Sequence, residues 1–178
     1  ITCLNNHGLF LCSIQSHRFT AKQLEKNPVF VLNIPVKGME ELILYIGSFH
    51  GNEETSKVRQ IAEQFPSKFH LCEPGWKPMQ MKTKELAIRE CVAHLVCKVE
   101  SKQETAGHQI MTCQITDAWV QSDYWQLGKC FIGLPTSPSL LTFLGSQKFG
   151  EMKACDNVFE KKEDNEPPQK KQKISREE

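Results

Sequence analysis

The sequence has 178 residues, 39% of them hydrophobic and 24% charged, which suits one domain with a core of its own and a tail. A formal net charge of +1 gives no field over the whole molecule that would attract nucleic acid or an anionic membrane surface. The longest apolar runs, such as residues 29–34, are too short to cross a bilayer, so we expect neither a membrane protein nor a nucleic-acid binder.

The N-terminal part of the chain predicts two strands and three helices. Residues 9–14 and 29–34 are short apolar runs that indicate buried strands, and Pro35 closes the second. Thr20 begins the pattern of a capping box, which predicts a short helix from Thr20 to just before Pro28. Two amphipathic helices should follow, because apolar residues recur there at helical spacing. These residues are Met39, Leu42, Ile43 and Ile46 before Gly47, and Val58, Ile61, Ala62 and Phe65 before Pro66.

The C-terminal part predicts a long hairpin. A loop centred on residues 74–78 leads to two strand-like runs, 88–100 and 108–120. The polar segment 101–107 between them is predicted to be the hairpin loop. Residues 140–144 indicate one further strand.

The order of these elements predicts a β-rich α+β fold. Strands and helices do not alternate regularly, which argues against a doubly wound sheet and favours a small antiparallel barrel with helical insertions. Beyond Met152 the residues are mostly charged and polar. We therefore predict one domain over residues 1–152 and a disordered charged tail over residues 153–178.

The eight cysteines do not predict a disulfide scaffold. The chain is long enough to form a core, and it has no basic-then-apolar leader of a secreted protein. Cys12, Cys91, Cys97 and Cys113 lie in apolar runs, where a free thiol behaves as a small hydrophobic side chain. A reducing cytoplasmic location is the simpler expectation. The chain starts at Ile1 without an initiator Met, so we expect the natural start upstream.

A zinc site is the first hypothesis for the cluster of cysteines and histidines in the hairpin. The residues are Cys91, His94, Cys97, His108 and Cys113. On a strand, Cys91 and Cys97 would share one face and His94 would lie on the other, which does not form a four-ligand cage. The sequence also contains no Cys-x-x-Cys pair, which structural zinc sites usually need. Buried thiols are the preferred interpretation, and no metal is expected.

A phosphate site is the second hypothesis, and it rests on residues 16–20. Ser16, Arg18 and Thr20 supply two hydroxyls and a guanidinium just before a predicted helix start, where free backbone N–H groups favour an anion. The alternative is that Thr20 merely caps its helix, and residue chemistry does not decide between the two. Lys57 and His108, taken alone, fit ordinary solvated residues. No dinucleotide-binding, P-loop or Gly-x-Ser-x-Gly pattern is present.

Five segments in this order and spacing make the sequence resemble the flavin-reductase-like family, the flavoredoxin-like FMN-binding split barrels. They are residues 16–20, 27–35 (NPVFVLNIP), 51–57 (GNEETSK), the hairpin 90–119 with Gly107-His108 at its turn, and 144–150 (LGSQKFG). The resemblance runs from about residue 8 to residue 151. It implies a six-stranded antiparallel split β-barrel that forms a homodimer.

The resemblance also implies a cofactor and the residues that hold it. Family members bind FMN, or in some cases FAD, and take a hydride from NADH or NADPH for transfer to flavin or another acceptor. Thr20 matches a threonine that contacts the FMN phosphate, and Ser16 and Arg18 lie in the same loop. Lys57 matches a lysine near the cofactor, with one extra residue before it here. His108 and Phe131 match a histidine and an aromatic residue near the flavin ring.

Two rival functions remain open from the sequence. The family usually has an N-terminal strand and a flavin-wrapping loop before the strand that starts here at Leu9, and we expect that segment to be missing. A chain without it would be a split barrel that has lost flavin and acts as a non-enzymatic binding module. The basic tail residues Lys170, Lys171 and Lys173 fit a short nuclear-localisation pattern, which suggests a nuclear factor.

Overall fold

The computed structural model describes residues 2–48, 57–80, 85–126, 130–131 and 136–152. These residues form three helices and a series of antiparallel strands. In chain order the elements are β1 (Thr2–Cys3), β2 (Leu9–Gln15), α1 (Phe19–Lys26), β3 (Val29–Ile34), α2 (Glu40–Ser48), α3 (Lys57–Gln64), β4 (Leu71–Cys72), β5 (Ala87–Ile88), β6 (Ala93–Thr105), β7 (His108–Val120), β8 (Trp125–Gln126), β9 (Cys130–Phe131), β10 (Leu140–Gly145) and β11 (Lys148–Met152). The β-rich α+β prediction is confirmed, and the predicted positions of β2, β3, α2 and α3 are correct to within about two residues.

The main sheet has five antiparallel strands in the order β1-β2-β7-β6-β3. Its centre is the hairpin of β6 and β7, each of 13 residues. The hairpin turns at Ala106 and Gly107, whose φ angles of 50° and 74° are the positive values that a tight two-residue hairpin turn requires.

The prediction of a polar loop at residues 101–107 is wrong, because β6 continues as a strand to Thr105. Strand β6 lies between β7 and β3, and β3 pairs with it only as far as Lys98. Beyond that point β6 pairs with β7 alone, and residues 100–105 are exposed. Their polar character therefore reflects a solvated two-stranded ribbon rather than a loop.

The strand predicted over residues 88–100 is also not continuous. It is divided into β5, which pairs with β4, and β6, which joins the main sheet. Between them the Cys91 N–H donates to the Ile88 carbonyl oxygen at 3.1 Å, which forms a turn. The apolar residues of this turn gave it the appearance of a strand in the sequence.

The C-terminal hairpin of β10 and β11 extends the sheet system beyond β3. The segment after β3 contacts β10 through a bridge between Val36 and Leu140 and through the Lys37 N–H, which donates to the Ser139 carbonyl oxygen at 2.8 Å. The strand predicted at residues 140–144 is confirmed as β10, whereas β11 was not predicted. That the barrel has six strands stays a prediction.

Two hydrophobic cores lie within the described residues. The first, which we call the helical core, contains buried side chains of α2, α3 and β10 together with those of their neighbouring loops. The second, the sheet core, is built on Phe10, Cys97, Met111 and Cys113, and Leu24 of α1 packs against it. Because α1 lies on the sheet core, the start of this helix is fixed relative to the ends of β2 and β7.

No helix in the described ranges is long and apolar enough to span a membrane. The tail predicted to be disordered, residues 153–178, lies outside the described residues. Both the domain boundary at Met152 and the disorder of the tail stay predictions.

Candidate functional site

The loop that follows β2 lies beside the hairpin turn of β6 and β7. Gln15, the last residue of β2, is directly opposite His108, the first residue of β7. The Ser16 N–H then donates to the Gly107 carbonyl oxygen at 2.9 Å. The fold thus brings the predicted phosphate loop and His108, the histidine predicted to lie near the flavin ring, together at one end of the strands of the main sheet.

Helix α1 begins immediately after this loop, one residue before the predicted start. Arg18 is the N-cap residue, with extended backbone angles, and no side chain caps the helix. The prediction that Thr20 is the cap is therefore wrong. Thr20 is the second residue of the helix and is exposed, and the first hydrogen bond of the helix runs from the Ala21 N–H to the Arg18 carbonyl oxygen at 3.0 Å. The first turn is consequently free of a side-chain cap that would compete with an anion.

The Ser16 hydroxyl is a buried polar atom with no hydrogen-bond partner among the described residues. Most buried polar atoms in folded proteins have a partner, and leaving a hydroxyl without one costs about 1–3 kcal/mol. The hydroxyl lies two residues before the N-cap of α1. A ligand oxygen bound at the start of this helix would supply the missing partner.

Positive charge is concentrated at the same corner of the molecule. Lys57 is the first residue of α3 and is half-buried. Burial, and then the positive charge of Arg18, lower the pKa of the Lys57 ammonium group. The Arg18 side chain is oriented by its Nε–H, which donates to the Gln15 side-chain oxygen at 3.1 Å. Two cations from distant segments thus act on each other electrostatically, and a bound anion would relieve that repulsion.

The remaining two predicted residues have different positions. His108 is half-buried, and its Nδ1 lies 3.3 Å from the Ala106 carbonyl oxygen, which holds the ring over the turn. Phe131 belongs to β9, which pairs with β8 in a ladder separate from the main sheet. The Phe131 side chain lies outside the described part of the structure. Its predicted place near the flavin stays a prediction.

Two glutamines support the site, and no motif in the sequence marks either of them. Gln15 orients Arg18, as described above. Gln109 is buried on β7, and its side-chain amide donates to Glu25 of α1 at 3.0 Å. Glu25 also lies 3.7 Å from the ammonium group of Lys102 on β6. These contacts fix α1 against the hairpin, but they join residues far apart in the sequence.

A second polar cluster lies at the other end of the hairpin, around His94. The His94 ring is completely buried; its Nδ1 accepts from the Gly75 N–H at 3.2 Å and its Nε2 donates to the Ile88 carbonyl oxygen at 2.9 Å. Trp76 packs on the ring with centroids 4.6 Å apart. Burial lowers the pKa of His94, which favours the neutral form that this bonding requires. We call the cluster of His94, Gly75, Trp76 and Trp119 the His94 latch.

The His94 latch holds the segment 74–77 against the sheet at close range. Gly75 has a φ of +77°, and a Cβ added there would lie 2.9 Å from the Trp119 ring. The neighbouring Trp76 also has a positive φ, 59°, and its indole N–H is directed at the Arg89 carbonyl oxygen at 3.1 Å. Across the described residues, no group of three or more side chains suited to bind a metal comes together. The histidine of this cluster holds a loop in place.

An open cavity of about 610 Å³ lies beside α3. It is lined mainly by apolar side chains, among them Val58, Ala62 and Met79, with His70 and Arg89 as polar members. Val58, from the first turn of α3, is part of this lining. Its volume is in the range typical of small-molecule sites.

Comparison with known proteins gives a consistent assignment of family and fold. The family model described as "Flavin reductase like domain" matches residues 3–132. A flavoredoxin from Methanosarcina acetivorans is 20% identical with a TM-score of 0.63, over 91% of this chain and 78% of that chain. A split-barrel protein of flavin-reductase type from Shewanella frigidimarina is 12% identical with a TM-score of 0.66, over 90% and 74%.

A third structure is that of an NADH:FAD oxidoreductase from Streptomyces globisporus, solved with NAD and FAD fragments. It is 12% identical with a TM-score of 0.54, over 89% of this chain and 75% of that chain. No curated protein matches the sequence. At these identities the structural likenesses establish the fold, which is the antiparallel split barrel that the sequence predicted.

Proposed function

This chain belongs to the flavin-reductase-like family, and from that membership we propose that it is an FMN-binding oxidoreductase whose flavin phosphate is held at the start of α1. The observation that carries the proposal is the buried, unpartnered hydroxyl of Ser16 next to the Arg18 and Lys57 cation pair. An FMN phosphate would give the hydroxyl a partner and would interact favourably with both positive charges. FAD is the alternative flavin.

The residues of this corner fit a phosphate group in kind and number. Arg18 offers charge-assisted hydrogen bonds, Ser16 and Thr20 offer hydroxyls, and the uncapped first turn of α1 offers backbone N–H groups. Lys57 adds a second charge, and its lowered pKa would rise again when the phosphate arrives. The chain thus binds and orients the cofactor.

Bound flavin would supply the hydride and electron chemistry, and the protein would position it. We assign His108 a place beside the ring system because it lies at the same end of the main sheet as the phosphate loop. Phe131 is assigned a packing role near the ring on the basis of the family resemblance. No acid or base role is assigned to either residue.

We propose NADH or NADPH as the electron donor, which passes a hydride to the flavin. The NADH:FAD oxidoreductase with a similar fold supports this, since it was solved with NAD fragments. The donor would bind transiently over the flavin, and the absence of a dinucleotide-binding fingerprint in the sequence does not argue against this. The cavity beside α3 offers space of suitable size for part of such a donor.

We also propose that the protein forms a homodimer in the cytoplasm. The hairpin of β10 and β11 exposes Phe143 and Leu144, which are 60% and 66% accessible, and apolar side chains in such positions favour a protein interface. The six cysteines whose side chains the structure describes are free thiols, which suits a reducing compartment. Light scattering of the flavin-bound protein tests the dimer, and a monomer would contradict it. The nuclear-localisation pattern, residues 167–173, lies outside the described residues.

The decisive experiment compares two ligands on two proteins. Arg18→Ala should weaken FMN binding roughly ten- to a hundredfold, the equivalent of about 1.5–3 kcal/mol for a charge-assisted hydrogen bond. Riboflavin, which lacks the phosphate, should bind the wild-type protein and Arg18→Ala about equally. Flavin fluorescence measures both affinities.

Arg59→Ala is the matched control, since Arg59 is an exposed arginine on α3 that is paired with Glu63 at 2.8 Å. It should leave both affinities unchanged. If Arg18→Ala weakens riboflavin as much as FMN, Arg18 is structural and the phosphate assignment fails. If the wild-type protein binds neither flavin, the flavin-free binding module becomes the better hypothesis.

A further inference from the structure

Two cysteines of the sheet core lie in sulfur–sulfur contact. Cys12 is on β2 and Cys113 on β7, and their Sγ atoms are 3.6 Å apart. Within the ladder Cys12 is opposite Met111, so Cys113 is its diagonal neighbour on the same face. Only a short approach separates this pair from the S–S bond length of about 2.05 Å.

The two thiols differ in their access to solvent. Cys12 is half-buried, whereas Cys113 and the nearby Cys97 are completely buried. Burial raises the pKa of Cys113 to about 12 and that of Cys97 to about 11, so both remain protonated and react slowly. A small oxidant from solution would therefore meet Cys12 first.

We propose that Cys12 and Cys113 are a reversible oxidation site that forms an intramolecular disulfide when the chain encounters hydrogen peroxide. In the first step the Cys12 thiol releases its proton, its sulfur attacks the peroxide and the O–O bond breaks; the products are a Cys12 sulfenic acid and a hydroxide, which takes up the released proton to give water. In the second step the Cys113 sulfur attacks the Cys12 sulfur, and the hydroxyl leaves as water with the Cys113 proton. Two thiols and one peroxide give one disulfide and two waters.

Formation of this bond would be transmitted to the proposed flavin site. Cys12 lies three residues before Gln15, the last residue of β2. Gln15 orients Arg18, and Ser16 follows Gln15 immediately. Diagonal neighbours stand farther apart than directly opposed residues, so closure draws β2 along β7. Leu24 of α1 rests on the same sheet core. The effect on flavin rests on the proposed function, whereas the disulfide does not.

The bond itself is tested on the full chain with hydrogen peroxide, thiol alkylation and non-reducing peptide mapping by mass spectrometry. We expect one dominant intramolecular link between the peptides of Cys12 and Cys113, which dithiothreitol reverses. Cys3→Ser is the matched control, because Cys3 is an exposed thiol, and this variant should form the same link. A map in which Cys12 remains a thiol, or reaches the sulfinic acid without a link to Cys113, overturns the proposal.

The coupling is tested by comparing FMN affinity before and after oxidation. We expect the linked protein to bind FMN roughly tenfold more weakly, the equivalent of about 1.4 kcal/mol, and to recover with dithiothreitol. Cys12→Ala should show no change with peroxide. If the link forms and FMN affinity is unaltered, the coupling is refuted. If the reduced protein does not bind FMN, the proposed function fails, and the peptide map still decides the disulfide.

Discussion

The two polar clusters at opposite ends of the central hairpin differ in how their hydrogen-bonding groups are used. In the His94 latch, both ring nitrogens have a backbone partner, and the ring is covered by Trp76. At the corner formed by β2 and α1, the Ser16 hydroxyl is buried without a partner among the described residues, and burial, followed by the charge of Arg18, lowers the pKa of Lys57.

This contrast separates a structural cluster from a binding site. A buried polar group whose bonds are all made holds the fold in one arrangement. A buried hydroxyl without a partner, next to two cations, lowers the stability of the ligand-free protein, and a bound ligand offsets that loss. Four measurements test whether the two ends of the hairpin follow this division.

The largest effect is expected for His94→Ala. This change leaves the Gly75 N–H and the Ile88 carbonyl oxygen without their partner and opens a cavity, which should lower the free energy of unfolding by about 3 kcal/mol. Urea denaturation measures the loss. His108→Ala, which removes a half-buried ring from the other cluster, should cost less than about 1 kcal/mol. Equal losses for the two variants would contradict the division.

A smaller loss is expected for Gly75→Ala. The new methyl group would lie 2.9 Å from the Trp119 ring on a residue with a φ of +77°. We expect a cost of about 2–3 kcal/mol from backbone strain and steric overlap together. Gly38→Ala is the control, since Gly38 has a φ of +97° and open space around the added atom, so that strain alone costs about 1 kcal/mol. If both variants lose the same free energy of unfolding, the close approach of residue 75 to Trp119 does not contribute to the loss.

Acidification should weaken the His94 latch, by less than removal of the ring because the protonated ring still fills its space. The pKa of His94 is lowered from 6.5 in the folded protein, mainly by burial, so the unfolded chain binds a proton more readily. The stability from neutral His94 is complete above pH 6.5 and is lost as the pH falls toward the folded-state pKa. Unfolding experiments in urea between pH 7.5 and pH 5 should show a slope that His94→Gln reduces. The exposed-histidine variant His17→Gln should retain the wild-type slope.

The smallest effect concerns Ser16 and has the opposite sign for stability and binding. Ser16→Ala removes a buried hydroxyl without a partner, so the flavin-free protein should gain about 1 kcal/mol. FMN affinity should fall roughly fivefold, the equivalent of about 1 kcal/mol, because one phosphate contact is lost. Thermal unfolding and flavin fluorescence give the two values, with the exposed Ser13→Ala as control. A loss of stability in the flavin-free protein would mean that the hydroxyl already has a structural partner.

Local apolar periodicity was enough to predict much of the fold. The strands at residues 9–14 and 29–34 and the helices α2 and α3 each bury a face whose spacing is visible in the sequence. The polar end of β6 was missed because it has one neighbouring strand and no buried face. The ladders β4–β5 and β8–β9 have two residues per strand, too few to show a period.

The candidate site could be predicted only in part. Ser16 and Arg18 stood out because their chemistry is local to one loop. Thr20 was wrongly predicted to cap α1, since a Thr followed by Gln three residues later occurs here inside the first turn. The contact of Gln15 with Arg18 is local but has no sequence signature, and the contact of Gln109 with Glu25 depends on how α1 packs against β7, which single residues do not reveal.

The turn at Ala106 and Gly107 has a consequence for how the length of this chain can vary. Surface turns commonly accept inserted residues, because little else depends on their shape. Here the Gly107 carbonyl oxygen accepts the Ser16 N–H at 2.9 Å, so an added residue would push the hairpin away from the phosphate loop. The turn at Ser146 and Gln147 joins β10 to β11 in a different ladder. Insertions and deletions among relatives should therefore accumulate at the second turn and be rare at the first.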